Sequence, residues 1–164
     1  MKYIRPTWDE YFFEVVTAIG KRATCGRGRS GCVITKDNHV VSTGYVGTLP
    51  GMPSCDDVGH LLKRTLDLDT GAEEEHCIRT IHAEQNAICQ AAKMGVSIDG
   101  ATLYCTMTPC AICTRLIVNS GVAHVRCLKH YHDVEQESDS IAMFEACGVY
   151  VSYMDKEVCE YEQA

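Results

Sequence analysis

Hydrophobic and polar positions recur along this chain at two distinct periods. Thr7-Trp8-Asp9-Glu10 has the form of a capping box stiffened by Pro6, and Trp8, Tyr11, Phe12, Val15 and Ile19 follow at helical spacing. This predicts a first helix that buries those residues, Trp8 included. Cys32 to Thr35 reads as a strand, Asp37-Asn38 as a tight turn, and His39 to Thr43 as the returning strand, with His39 exposed beside the turn. Tyr45 to Arg79 is rich in Gly and Pro, but Leu61, Leu62, Thr65 and Leu66 keep a spacing that predicts a short helix from about Val58 to Leu68. Ile78 to Met94 predicts a firm helix ended by Gly95, with Ala83, Ala87, Ile88 and Ala91 inward. Ala101 to Thr106 is a predicted strand. Thr108 and Pro109 then suit the N-cap and first residue of a helix reaching about Asn119. A strand at His124 to Leu128, a helix at Ser140 to Ala146 and a strand at Val149 to Tyr153 complete the order.

Helices alternating with strands predict an α/β chain, a three-layer α/β/α fold around a central mixed five-stranded sheet. The 164 residues suit a single domain spanning 1–164, with an inserted loop-rich segment at about 46–79. No internal repeat or low-complexity linker interrupts it.

Charge narrows the partners. The formal net charge is -7, and His130 to Ala164 carries nine acidic residues against one basic residue, Lys156. Such a tail repels a nucleic-acid backbone, although a local basic pocket still admits a small anion. No apolar run approaches a membrane span, and Met1 is followed directly by Lys2, Tyr3, Ile4 and Arg5 rather than by the apolar core of a signal peptide. The expectation is a cytoplasmic protein with no membrane or nucleic-acid partner. Eleven cysteines, an odd count, argue against a disulfide framework and for metal ligation by some of them. Cys32, Cys89, Cys105, Cys127 and Cys147 lie in apolar segments and are expected to be small buried side chains.

The chemistry concentrates in His82-Ala83-Glu84 and Pro109-Cys110-Ala111-Ile112-Cys113. Cys110 and Cys113 sit three apart in the first turn of a helix, where both thiolates face one ion and the helix N-terminus favours their charge. His82 supplies a nitrogen. Three protein ligands leave a fourth tetrahedral position for water, and Glu84, two residues from His82, can move that water's proton without being a ligand. This pairing is the signature of zinc-dependent nucleobase deaminases. A lone CxxC also suits a redox protein, which gives His82 and Glu84 no role, or a structural zinc module, which needs a closed four-ligand site.

The chain resembles the deoxycytidylate (dCMP) deaminase family. The match runs through Thr24-Cys25-Gly26-Arg27, Gly31 to Val33, Ser42-Thr43-Gly44-Tyr45, Pro53-Ser54-Cys55, His76 to Ile88, Gly100 to Cys113 and Ser120-Gly121-Val122. The resemblance implies zinc held by His82, Cys110 and Cys113, Glu84 as proton shuttle, and hydrolysis of dCMP to dUMP and ammonia. Another cytosine nucleotide, nucleoside or base, such as dCTP, CMP or deoxycytidine, is the alternative substrate. A tRNA-adenosine deaminase is disfavoured by the acidic tail. It also implies a homo-oligomer, a hexamer, with dCTP and dTTP as effectors. Where the family reads Gly-Tyr-Asn-Gly, this chain has Val46, whose side chain makes no hydrogen bond to a sugar. Arg27, Arg29 and Arg115 are candidates for phosphate, Asn86 for base or sugar, and Tyr131 for stacking on the base, with His130 and His132 read as ordinary loop residues. Cys25, Cys55 and Cys77 lie in polar, turn-rich sequence and are candidates for a second, structural zinc. Relatives carry such a site in this region, and Cys25 and Cys55 match its ligand positions. His60 is the fourth candidate and His76 the reserve.

Overall fold

The computed structural model describes residues 3–66, 71, 73–155 and 157–159. Lys156, Glu160 and Glu162 of the acidic tail, and Leu68, lie outside the described residues. The elements in order are α1 (Trp8–Gly20), β1 (Gly31–Lys36), β2 (His39–Tyr45), β3 (Gly47–Thr48), α2 (Cys55–Val58), β4 (Leu62–Leu66), β5 (Glu73–Cys77), β6 (Thr80–Ile81), α3 (Ala83–Met94), β7 (Thr102–Met107), α4 (Ala111–Asn119), β8 (His124–Lys129), α5 (Val134–Ala146) and β9 (Tyr150–Tyr153).

Five strands form the central sheet in the order β2-β1-β7-β8-β9. β1 runs antiparallel to both β2 and β7, whereas β7, β8 and β9 are parallel, so the sheet is mixed. Asp37 and Asn38 take positive φ values of 50° and 61°, the paired left-handed turn that a two-residue hairpin needs. Alternation along β1 and β7 divides the core. Val33 and Tyr104 meet Phe12, Phe13 and Val16 of α1 on one face. Cys32, Ile34, Leu103 and Cys105 meet Ala83, Ala87 and Ala91 of α3, Ile117 of α4 and Phe144 of α5 on the other. These are the three α/β/α layers.

Several sequence expectations are corrected. The Thr7–Glu10 capping box is present, but α1 turns Phe12, Phe13 and Val16 inward and leaves Trp8 55 % exposed, stacked on the outer side of Phe12. The inward register is the one that lets Phe12 and Phe13 both reach Tyr104. Cys89, midway along α3, and Cys147, the C-cap of α5, are exposed, while Cys32, Cys105 and Cys127 are buried as expected. α3 begins at Ala83 rather than Ile78, because Thr80 and Ile81 instead pair with β3. α5 begins earlier, at Val134, capped by Asp133 accepting from the N–H groups of Glu135 and Gln136.

The largest correction concerns the helix expected from Val58. Helix α2 ends at Val58, and Leu62–Leu66 is a strand paired antiparallel with β5. The leucines that suggested a helical stripe are exposed on this two-stranded arm. Cross-strand charge takes the place of core burial, with Arg64 Nε 2.9 Å from Glu75 and Arg64 Nη1 3.7 Å from Glu73.

Gly44 sets how closely α3 lies on β2. A Cβ there would meet the Ala83 carbonyl oxygen at 2.2 Å and the Ala87 nitrogen at 2.4 Å, both backbone atoms that cannot step aside. Gly44→Ala should therefore cost about 2–3 kcal/mol and lower the thermal midpoint by roughly 5–10 °C. Calorimetry on the two proteins checks this; an unchanged midpoint contradicts the close packing.

Candidate active site and second metal cluster

Two helix N-termini face each other at the carboxyl end of β7. His82 is the N-cap of α3, held extended at φ -70° and ψ 158°, and Gln85 accepts a hydrogen bond from its backbone N–H at 3.1 Å. Cys110 is the N-cap of α4, at φ -67° and ψ 166°. The expected cap, Thr108, lies two residues too early. The Thr108 hydroxyl is engaged by Glu137 and by Tyr153 instead of by the helix N–H groups.

His82 Nδ1 lies 3.5 Å from Cys110 Sγ and 3.4 Å from Cys113 Sγ. Donors around a tetrahedral zinc stand about 3.5 Å apart, from bond lengths of about 2.0 Å to nitrogen and 2.3 Å to sulfur. The cluster therefore has the span of a zinc site with three protein ligands. Its electrostatics agree. The hydrogen bond from the Cys113 thiol holds Cys110 down to about 3, and the same bond drives Cys113 far upward. The Cys110 hydrogen bond in turn raises His82 to about 9. Without a cation only one of the two sulfurs ionises; a bound divalent ion lets both do so.

Glu84 is buried in the first turn of α3, with Oε2 3.6 Å from Cys113 Sγ. Burial raises its carboxyl above the ordinary value, against the opposing pull of His82. A carboxyl so placed, beside the metal donors and facing the cavity, is positioned to pass a proton to and from a bound molecule.

The open side of this cluster is a cavity of about 570 Å³, a size suited to a small ligand. His82, Glu84 and Cys110 are at its floor, with Met107 and Thr108 from the end of β7. Arg27, Val46 and Tyr131 line it, as the sequence proposed for substrate-contacting residues. Arg29, Asn86 and Arg115 lie outside that lining. Arg29 pairs with Asp56 at 2.9 Å and donates to the Ala23 carbonyl, Asn86 donates to the Tyr45 carbonyl, and Arg115 donates to Ala111 on its own helix. His132, Gln136 and His76 line the cavity as well. Local sequence carried no signal for His132, which differs from His130 only in where the loop turns. His130 instead stacks on Tyr153 at 3.9 Å and faces Glu137.

A second cluster lies beside this cavity. Cys25, Cys55, His60 and Cys77 bring four donor atoms within 4.8 Å of one another. Cys25 Sγ is 3.5 Å from His60 Nδ1, and Cys55 Sγ is 3.5 Å from Cys77 Sγ. Four protein donors at this spacing suit the closed tetrahedron of a structural zinc site. Burial pushes Cys55 up to about 12, while backbone hydrogen bonds at Arg79 and Leu61 outweigh the burial of Cys77 and hold it at about 7. His60 is thus the fourth donor. The reserve candidate His76 is not in the cluster, because neighbouring residues of a strand face opposite ways.

Comparison with known proteins agrees with this architecture. Residues 6–129 match the family described as cytidine and deoxycytidylate deaminase zinc-binding region. The chain is 35 % identical over 153 residues to ComE operon protein 2 of Bacillus subtilis, covering 92 % of this chain and 73 % of that protein. It is 33 % identical to the deoxycytidylate deaminase of Schizosaccharomyces pombe over 145 residues, 88 % of this chain but 43 % of the yeast protein, so it spans under half of that relative. The crystal structure of the dCMP deaminase of cyanophage S-TIM5 in complex with dCMP and dUMP superposes with a TM-score of 0.70 at 26 % identity, covering 93 % of this chain and all of that one. With the fold, the three-ligand cluster and these matches in agreement, the chain belongs to the zinc-binding cytidine and deoxycytidylate deaminase family.

Proposed function

We propose that this protein hydrolyses dCMP to dUMP and ammonia, supplying precursor for thymidylate synthesis. The observation that carries the reading is the open three-donor cluster of His82, Cys110 and Cys113 beside the buried carboxyl of Glu84, inside a cavity of nucleotide size. Zinc held by His82, Cys110 and Cys113 would supply a water whose pKa is lowered to about 7, and so a hydroxide nucleophile at neutral pH. Glu84 takes one proton of the attacking water and delivers it to the ring nitrogen as the water oxygen bonds to C4; it then takes the second proton from that oxygen and gives it to the amine as the C4–N bond breaks, leaving the C4 carbonyl and ammonia. Tyr131 packs against the base, and Arg27 holds the phosphate. Arg29, Asn86 and Arg115 act from outside the lining, as supports to the walls. The closeness of the chain to named deoxycytidylate deaminases supports this choice of substrate. Val46 at the cavity wall favours a second reading, a cytosine nucleotide or nucleoside with a different sugar or phosphate. Ammonia release from cytosine, deoxycytidine, CMP, dCMP and dCTP decides between them; dCMP should have the highest kcat/KM.

We read residues 1–164 as one deaminase unit with an insertion at about 46–79, working in a reducing cytoplasm where eleven thiols persist unpaired. We also read it as a homohexamer regulated by dCTP and dTTP, on the strength of the family resemblance.

Glu84→Gln should keep its zinc and its fold while kcat falls by about 10²–10⁴-fold. Metal analysis and turnover at saturating dCMP check this, and near-native turnover removes Glu84 from proton transfer. Arg27→Ala should raise KM for dCMP about tenfold more than KM for deoxycytidine; equal losses on both place Arg27 elsewhere. Sedimentation at micromolar protein should give six times the monomer mass, and dCTP and dTTP should shift the dCMP saturation curve in opposite directions. A monomer overturns the assembly, and a flat response overturns the regulation.

A further inference from the structure

The second metal cluster and the cavity share a piece of backbone at two places. Cys25 and Arg27 are two residues apart in the loop before β1, and the first is a cluster donor while the second lines the cavity. Cys77 and His76 are neighbours on β5; both line the cavity, and Cys77 is also a cluster donor. The two loci are laced together directly, since Arg27 Nη2 donates to the Glu75 carbonyl oxygen at 2.9 Å. The β4–β5 arm has exposed strands and cross-strand ion pairs rather than an apolar core. Its root at Cys77 is fixed against the domain by Cys25, Cys55 and His60.

Charge around the cavity mouth points the same way. Two carboxylates there besides Glu84 are already engaged. Glu75 accepts from Arg64 Nε at 2.9 Å, and Asp133 accepts from the backbone of Glu135 and Gln136. Arg27 and His76 bring hydrogen-bond donors to one wall, on the side formed by β5 and the loop before β1. A guanidinium and an imidazole N–H meeting at one wall are suited to the oxygens of a phosphate.

We propose that His76 joins Arg27 as the anion-binding wall of the cavity, and that the Cys25–Cys55–His60–Cys77 cluster is the device that holds this wall in place. Metal at the cluster then sets preference for a phosphorylated over an uncharged nucleoside, a role beyond holding the fold together. The inference rests on the nucleotide-deaminase reading of the cavity. His76 touches the ligand's phosphate; His60 and Cys55 are positioning residues that act through β5.

The test uses binding rather than turnover as its main readout. Calorimetry on the zinc-loaded protein measures the ratio of dUMP to deoxyuridine affinity, with zinc content measured on the same samples. His76→Ala should lower that ratio about tenfold with both zinc ions retained. The double variant His60→Ala/Cys55→Ser should lose one zinc of two per chain, lower the ratio by a similar factor, and lose hydrogen-exchange protection at β5. His60→Cys alone, which keeps a four-donor set, should retain the second zinc and the ratio. A ratio within twofold of wild type in His76→Ala overturns the anion wall. Loss of zinc from the double variant with the ratio unchanged overturns the coupling, as does a wild-type protein with only one zinc per chain. If the double variant does not fold, His76→Ala and His60→Cys still decide the matter, the latter against the proposal if zinc is retained while the ratio falls. Turnover of dCMP by the wild type is assayed alongside. Its absence defeats the deaminase reading, whereas intact turnover with an unmoved ratio defeats only this proposal.

Discussion

Two thiols, an imidazole and a buried carboxylic acid crowd into one corner of this protein, and the rest of the structure is arranged around the conflict between them. Left to themselves they cannot all take their charged forms, as the low value of Cys110 and the high one of Cys113 make plain. A cation resolves the conflict, and two facing helix N-termini ease it further by turning N–H groups and positive dipole ends towards the sulfurs. The corner is reactive for the same reason. The group that binds there gains both ligands and an adjacent buried carboxyl at once.

Holding two helix N-termini face to face places demands on the frame. α4 follows directly from β7, so a parallel strand in the centre of the sheet aims Cys110 and Cys113. α3 reaches the same point only because Gly44 lets its backbone touch β2. The opposite wall depends on Glu137, whose carboxylate accepts from the Thr108 and Tyr153 hydroxyls and from the Tyr131 backbone N–H at 3.1 Å. That one side chain ties the end of β7, the loop after β8 and the first turns of α5 together. The walls of the cavity are therefore set by polar contacts between elements far apart in sequence, while apolar packing sets the layers behind them.

Much of the catalytic corner was legible in the sequence because its spacings are local. His82 and Glu84 lie within one turn of each other, as do Cys110 and Cys113, and an N-cap position followed by an apolar stripe announces itself without knowledge of the fold. The five strands of the sheet were legible for a similar reason, since alternation and turn residues such as Asp37-Asn38 act over a few positions. Cys25, Cys55, His60 and Cys77 were nameable as a group because cysteine in polar, turn-rich sequence has little to gain from packing.

Tertiary structure decided what depends on pairing at a distance. The leucines between Leu61 and Leu66 satisfy a helical spacing, but β5 offers glutamates opposite Arg64, and strand pairing wins over a stripe that finds no core to enter. The same holds for Trp8, which fits the helical pattern yet lies outside because Phe12 and Phe13 fill the space over Tyr104. His76 and His132 look like any other loop-side histidines until the chain folds, and only the fold turns them into the cavity. The sequence by itself determined the candidate metal donors, the carboxyl beside them and the layered sheet, whose signals are carried by neighbouring residues. Which side chains face the cavity was left to long-range contacts, because facing is a relation between elements rather than a property of any one of them.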